Sequence, residues 1–174
     1  MVNSIIQDLN RFGNNKLTIF NFGWRILLHR GLQAIMFYRL NNFLWVKGFR
    51  NLSRLLMNLN TFITGAEIHP AALIKGGLKI HHTSGVVIGY GTILEENVTI
   101  FSDVVFGEKG GKKDTGNYPK VESNSIVYSG AKIVGDIIVG NNSIIGANSV
   151  LTKSVPPFSL VFGNPSIIKE GYYS

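Results

Sequence analysis

Cysteine is absent from the 174-residue chain, which excludes disulfides, thiolate-bound metals and a cysteine nucleophile. No apolar run reaches the ~20 residues needed to span a bilayer. The most apolar stretch, Ile26 to Val46, is broken by His29, Arg30, Arg39, Asn41 and Asn42. The opening MVNSIIQDLNRFG holds an acid, Asp8, and no apolar core, so a cleaved secretion signal is not expected. Acids are nearly missing from residues 1–66, where Asp8 stands alone against eight Lys and Arg, and Arg is missing after Arg54. The net charge of +7 therefore belongs to the first 66 residues, since the rest carries nine Lys and nine acids. What is plentiful is apolar: hydrophobic residues make up 45% of the chain, enough for a folded core rather than disorder.

The charge asymmetry implies two units. No nucleic-acid motif accompanies the basic segment, so no nucleic-acid partner is expected. Leu28, Leu32, Ile35, Met36, Leu40, Phe43 and Leu44 recur at helical spacing. So do Leu52, Leu55, Leu56, Leu59, Phe62 and Ile63, and more weakly Ile5, Ile6 and Leu9. Gly48 and Gly65 read as helix ends and Gly31 as a helix start. Residues 1–66 are thus expected to form a small helical domain whose aromatics, Trp24, Phe37, Trp45 and Phe49, pack its core. The alternative use of these aromatics is a peripheral contact with the inner membrane face of the cytoplasm, the expected compartment.

Residues 67–174 carry a six-residue comb. Val121, Val127, Ile133, Val139, Ile145 and Leu151 are all aliphatic, and mostly small residues follow each at a fixed offset of four. Upstream the comb continues through Ile68, Ile74 and Ile80, slips by two, then runs through Ile88, Leu94, Ile100 and Phe106. A period of six fits neither a helix nor a flat strand. It fits a chain wound as a triangular prism, one short strand per side, with thirteen sides giving about four coils. A segment without periodicity, 107–120, interrupts the comb as an extruded loop.

This comb resembles the hexapeptide-repeat acyltransferases. Glu67-Ile68-His69-Pro70, the run Ile80-His81-His82-Thr83-Ser84-Gly85-Val86-Val87-Ile88-Gly89, and Gly107 to Lys120 are similar to the serine acetyltransferase branch. The resemblance implies a mainly β chain folded as a left-handed parallel β-helix, assembled as a homotrimer with active sites at subunit interfaces. It also implies acetyl-CoA as cosubstrate. An alcohol needs a base to take its proton before it attacks a thioester. The resemblance gives that role to His82 and the role of orienting carboxylate to Glu67, while His29 reads as structural. It places Gly107, Ser129 and Ala147 along the pantetheine channel, Lys153 near the nucleotide phosphates, and backbone N–H groups near Gly107 at the oxyanion. A metal held by His69, His81 and His82 is the rival use of the histidines, and no metal is expected.

Three acceptor contacts depart from the family pattern. The Asp before the base is here His81, the Arg-His pair late in the loop is Asn117-Tyr118, and Lys16 stands at an upstream Asp. With His81, Asn117 and Tyr118 taken as acceptor contacts, the expected reaction is O-acetylation of a sugar or surface-polysaccharide hydroxyl. Serine O-acetylation for cysteine synthesis is the first alternative. Against it stands the ending Gly171-Tyr172-Tyr173-Ser174, unlike the family's partner-binding tail ending in Ile. A non-enzymatic or metal-binding trimer is the second alternative.

Overall fold

The structure, a computed structural model, describes residues 2–13, 19–110, 116–164 and 166–171, and residues 19–22 by backbone alone. Lys16, the loop residues 111–115, Pro165 and the Tyr172-Tyr173-Ser174 ending lie outside the described residues. Among the described residues four helices come first: α1 (Val2–Asn10), α2 (Ile19–Leu28), α3 (Arg30–Val46) and α4 (Arg50–Thr64). Short parallel strands then wind into three sheets. The first face stacks β1 (Glu67–Ile68), β4 (Val87–Ile88), β7 (Val105–Gly107), β10 (Lys132–Val134) and β13 (Val150–Leu151). The second stacks β2 (Leu73–Ile74), β5 (Ile93–Leu94), β8 (Lys120–Val121) and β11 (Ile138–Val139). The third stacks β3 (Lys79–Ile80), β6 (Thr99–Ile100), β9 (Ile126–Val127), β12 (Ile144–Ile145), β14 (Leu160–Phe162) and β15 (Ile167–Lys169). This is the expected left-handed β-helix with a small helical part before it.

The thirteen comb residues, Ile68 through Leu151, are the inward residues of β1 to β13, and all are buried. Each coil repeats the register of the last, as in Glu67↔Val87 and Val87↔Val105 on the first face. The final strand, β15, pairs antiparallel to β14.

The helices sit on the first coil and share its core, with Ala34, Ile35 and Tyr38 in one cluster with Ile68, Ile74 and Ile80. The Tyr38 hydroxyl donates to the Ala72 carbonyl at 2.7 Å. Gly31 has a packing reason rather than a capping one: a Cβ there would lie 1.9 Å from the Ile80 carbonyl oxygen. Gly65 ends α4 in the left-handed conformation (φ +80°), as expected. Asp8 is fully buried and fastens three pieces together. Its carboxylate accepts from Arg39 Nε (2.9 Å) and Nη2 (3.2 Å), and from the backbone N–H groups of Gly77 (2.9 Å) and Leu78 (3.1 Å).

The helical core differs from the expectation. Trp24 and Phe49 are exposed, and so are Leu52, Leu55, Leu59 and Phe62 of α4, Phe62 at 88%. The face of α4 turned inward is polar: Ser53 donates to the Asn41 carbonyl (2.9 Å) and Asn60 Nδ2 to the Ala34 carbonyl (3.3 Å). These hydrogen bonds satisfy small polar side chains where α4 crosses α3, which lets the apolar stripe of α4 turn outward. Among the described residues, no helix is long and apolar enough to cross a membrane.

Candidate active site

The comb's slip of two residues builds a distinctive corner. Between the third and first faces the coils align as His81, Phe101 and Tyr128, whose N–H groups donate to Ile100, Val127 and Ile145. The alignment resumes at Ser84, Ser102 and Ser129, whose carbonyls accept from Asp103 (2.8 Å), Gly130 (2.9 Å) and Asn148 (2.9 Å). Thus the extra pair in the first coil is His82-Thr83. Thr83 is buried, and its hydroxyl donates to the Thr64 carbonyl at the end of α4. With Thr83 pinned, His82 stands exposed at the tip of the turn. Glu67 opens β1 at the same corner, exposed, its N–H bonded to the Val86 carbonyl (2.9 Å) where the His82 turn rejoins the sheet. Among the described residues no hydrogen bond or ion pair joins Glu67 to His82.

His81 stacks on Phe101 (4.5 Å between centroids, 12°), and Phe101 stacks on Tyr128 (5.0 Å, 21°). Ser129 follows that column, its hydroxyl accepting from Ser102 Oγ at 3.3 Å, and Ala147 precedes Asn148 in the next coil. Burial pushes the His81 pKa below its ordinary 6.5, and the neighbouring Lys79, His82 and Arg11 push it the same way. A depressed histidine favours the folded state above its ordinary pKa, and that contribution is lost as pH falls through the lowered value. These surroundings favour the uncharged form of His81. An NMR titration of its ring protons should give a midpoint below 6.5, and Lys79→Met should raise it.

The remaining expected residues lie on the opposite edge of the first face. Tyr118 lies flat over Gly89 and Gly91, where a Cβ at either position would meet its ring at 2.6 Å. Its hydroxyl donates to Glu108 Oε2 at 3.3 Å, tying the two ends of the extruded loop. An aromatic series runs from Trp45 to His69 (5.3 Å), Tyr90 (5.0 Å) and Tyr118 (6.3 Å), with Arg50 3.9 Å above Trp45. Asn117 lines a cleft of about 370 Å³ with Lys109, Gly135 and Thr152, and exposed Lys153 follows Thr152. Gly107 ends β7, and among the described residues a Cβ there would meet only Val105, at 3.7 Å, so packing against them does not demand glycine.

The described residues therefore form two groups: Glu67, His81, His82, Ser129 and Ala147 at one corner, and Gly107, Asn117, Tyr118 and Lys153 at the other edge. His69 belongs to the second edge, apart from His81 and His82, where its Nδ1 accepts from the Ala71 N–H at 3.1 Å. The three histidines of the metal alternative are thus not brought together. His29 sits in the helical part, its Nδ1 3.0 Å from the Arg25 carbonyl and its ring against Phe12.

A six-residue solenoid with an exposed histidine in a widened corner defines a hexapeptide transferase, and the family description "Bacterial transferase hexapeptide (six repeats)" matches residues 118–153. Similarity over the rest of the chain is narrower in kind. The serine acetyltransferase of Bacillus subtilis strain 168 is 41% identical over 148 residues, 84% of this chain and 68% of that protein. The Neisseria gonorrhoeae serine acetyltransferase in complex with serine superimposes with a TM-score of 0.85 at 30% identity, covering 97% of this chain and 68% of that one. The Brucella abortus strain S19 enzyme in complex with coenzyme A gives 0.86 at 33%, covering 96% and 66%. The chain belongs to the serine acetyltransferase family of hexapeptide transferases. It spans about two thirds of the length of the curated relatives it matches.

These relatives overturn the expectation of a sugar or polysaccharide acceptor, because every one of them is named for serine. Loss of individual contacts does not fix the identity of a substrate. The side chains of His81, Asn117 and Tyr118 do not by themselves specify an acceptor other than serine.

Proposed function

We propose that this protein is an acetyl-CoA-dependent serine O-acetyltransferase. The observation that carries the reading is the 41% identity to the Bacillus subtilis enzyme over 84% of the chain. It is supported at the corner itself, where an exposed imidazole stands on a turn anchored by a buried threonine. The thioester of bound acetyl-CoA supplies the activated acetyl group. His82 takes the proton from the serine hydroxyl as its oxygen attacks, then returns a proton to the departing sulfur. Glu67, at the same corner, orients the imidazole and stabilises its charged form. Such contacts commonly close only around the bound reactants. The column through Ser129 and Ala147, with the uncrowded Gly107, provides the pantetheine path, and Lys153 meets the nucleotide phosphates.

The two groups of residues lie on opposite edges of one face, and a homotrimer places one edge of each copy beside the other edge of its neighbour. Asn117 and Tyr118 of one copy then face His82 of the next. The test is an assay of the full chain with acetyl-CoA and L-serine, following free thiol and O-acetylserine. The expected result is stoichiometric formation of both. Thiol release without O-acetylserine in the presence of serine would sink the reading.

A further inference from the structure

Beside the His82 corner lies a cleft of about 610 Å³. Its charged and titratable lining is Arg11, His29, Arg30, Lys79 and His81, and no carboxylate lines it among the described residues. Arg11 is held in place by neutral partners, donating to Thr99 Oγ1 at 2.7 Å and the Asn97 carbonyl at 3.3 Å. No ion pair among the described residues engages Arg11, Arg30 or Lys79. The one nearby acid of the helical part, Asp8, is consumed by Arg39 and two backbone amides. The start of α3, a 17-residue helix, also opens on the cleft at Arg30 and Gly31, with no acid in its first turn and no side-chain cap. Its unpaired N–H groups add positive potential to that of the three cations.

Uncompensated charges of one sign around a concave site next to a catalytic corner select a ligand group of the opposite sign. We propose that this cleft holds the carboxylate of the acceptor, and that the acceptor's ammonium is dispensable. The proposal rests on the reading of His82 as the base that deprotonates the acceptor hydroxyl. It goes beyond that reading because it assigns recognition to Arg11 and Lys79, which lie on α1's exit and on the third face rather than in the extruded loop. A cation placed here would meet three like charges and, among the described residues, no carboxylate, which costs binding rather than adding to it.

The test compares three acceptors that share a primary hydroxyl: L-serine, 3-hydroxypropanoate, which lacks the ammonium, and ethanolamine, which lacks the carboxylate. The full chain should use 3-hydroxypropanoate with kcat/KM within about tenfold of serine, and ethanolamine about 100-fold less well or worse. Lys79→Met should raise KM for 3-hydroxypropanoate about fivefold, more than it lowers kcat. Ethanolamine matching 3-hydroxypropanoate, or an unchanged KM in both Lys79→Met and Arg11→Gln, overturns the proposal. Equilibrium binding of labelled 3-hydroxypropanoate separates the two claims. If it binds wild type more tightly than Lys79→Met while no hydroxyl is acetylated, the cleft stands and the function of His82 falls. If serine is acetylated and 3-hydroxypropanoate neither binds nor reacts, the cleft assignment falls alone.

Discussion

His82→Ala is expected to lower kcat for acetyl transfer to serine by about 10²–10⁴-fold, the usual effect of removing a general base. The size of that loss is interpretable because the side chain contributes little to folding. His82 is exposed and has no hydrogen-bond partner among the described residues. The work of holding the turn falls instead to Thr83, through its bond to the Thr64 carbonyl, and to the ladder that resumes at Ser84. A surface substitution of this kind changes stability by about 0.5 kcal/mol or less. Paired measurements of kcat and of the urea midpoint therefore separate chemistry from folding. Full activity in the variant would remove His82 from the mechanism, whereas lost activity with a shifted midpoint would mean that the turn itself had failed.

Asp8→Ala is expected to destabilise the chain by about 3–5 kcal/mol, the range found when one member of a buried ion pair is deleted. The side chain is wholly buried and Arg39 nearly so. Its loss leaves the Arg39 guanidinium with only the Ile74 and Lys75 carbonyls, and strands the N–H groups of Gly77 and Leu78. Replacing both charges by apolar groups often recovers such a loss. Here the double variant Asp8→Leu/Arg39→Met should recover only part of it, because four backbone groups of the first coil remain unpaired. Equilibrium urea unfolding of wild type, single and double variants measures each cost. A single variant within about 1 kcal/mol of wild type would show that α1 does not secure the first coil.

Legibility from sequence was uneven, and for physical reasons. In a solenoid each inward position is specified locally, so the six-residue comb named the inward, buried residue of each strand from β1 to β13, Ile68 through Leu151. The slip between Ile80 and Ile88 was visible too, and it is the widened turn that carries His82. The helical part obeyed a different rule. Its contacts are made by Asn60, Ser53, Tyr38 and Arg39, whose partners lie 12 to 36 residues away, so the apolar stripe of α4 misreported which face is inward. Asp8 did leave a trace, as the lone acid among eight cations. Nothing in the spacing of Arg11, Arg30 and Lys79 announced that they share a cleft, since folding brings them together from three separate elements. The acceptor was misjudged in the same way, from individual positions without the wall of charge around them.

The reversed strand at the end of the third face has a consequence for how the molecule behaves at high concentration. Parallel coils stack by offering each open strand edge to the next, and an exposed edge is a template for another chain. β15 runs against β14, so on that face an incoming coil in the repeating direction meets a strand of the wrong polarity. At the other end of the same face, the start of α3 lies against β3, close enough that Gly31 touches the Ile80 carbonyl. The longest of the three sheets is thus terminated at both ends by elements outside the repeat, which opposes end-to-end fibre growth along it.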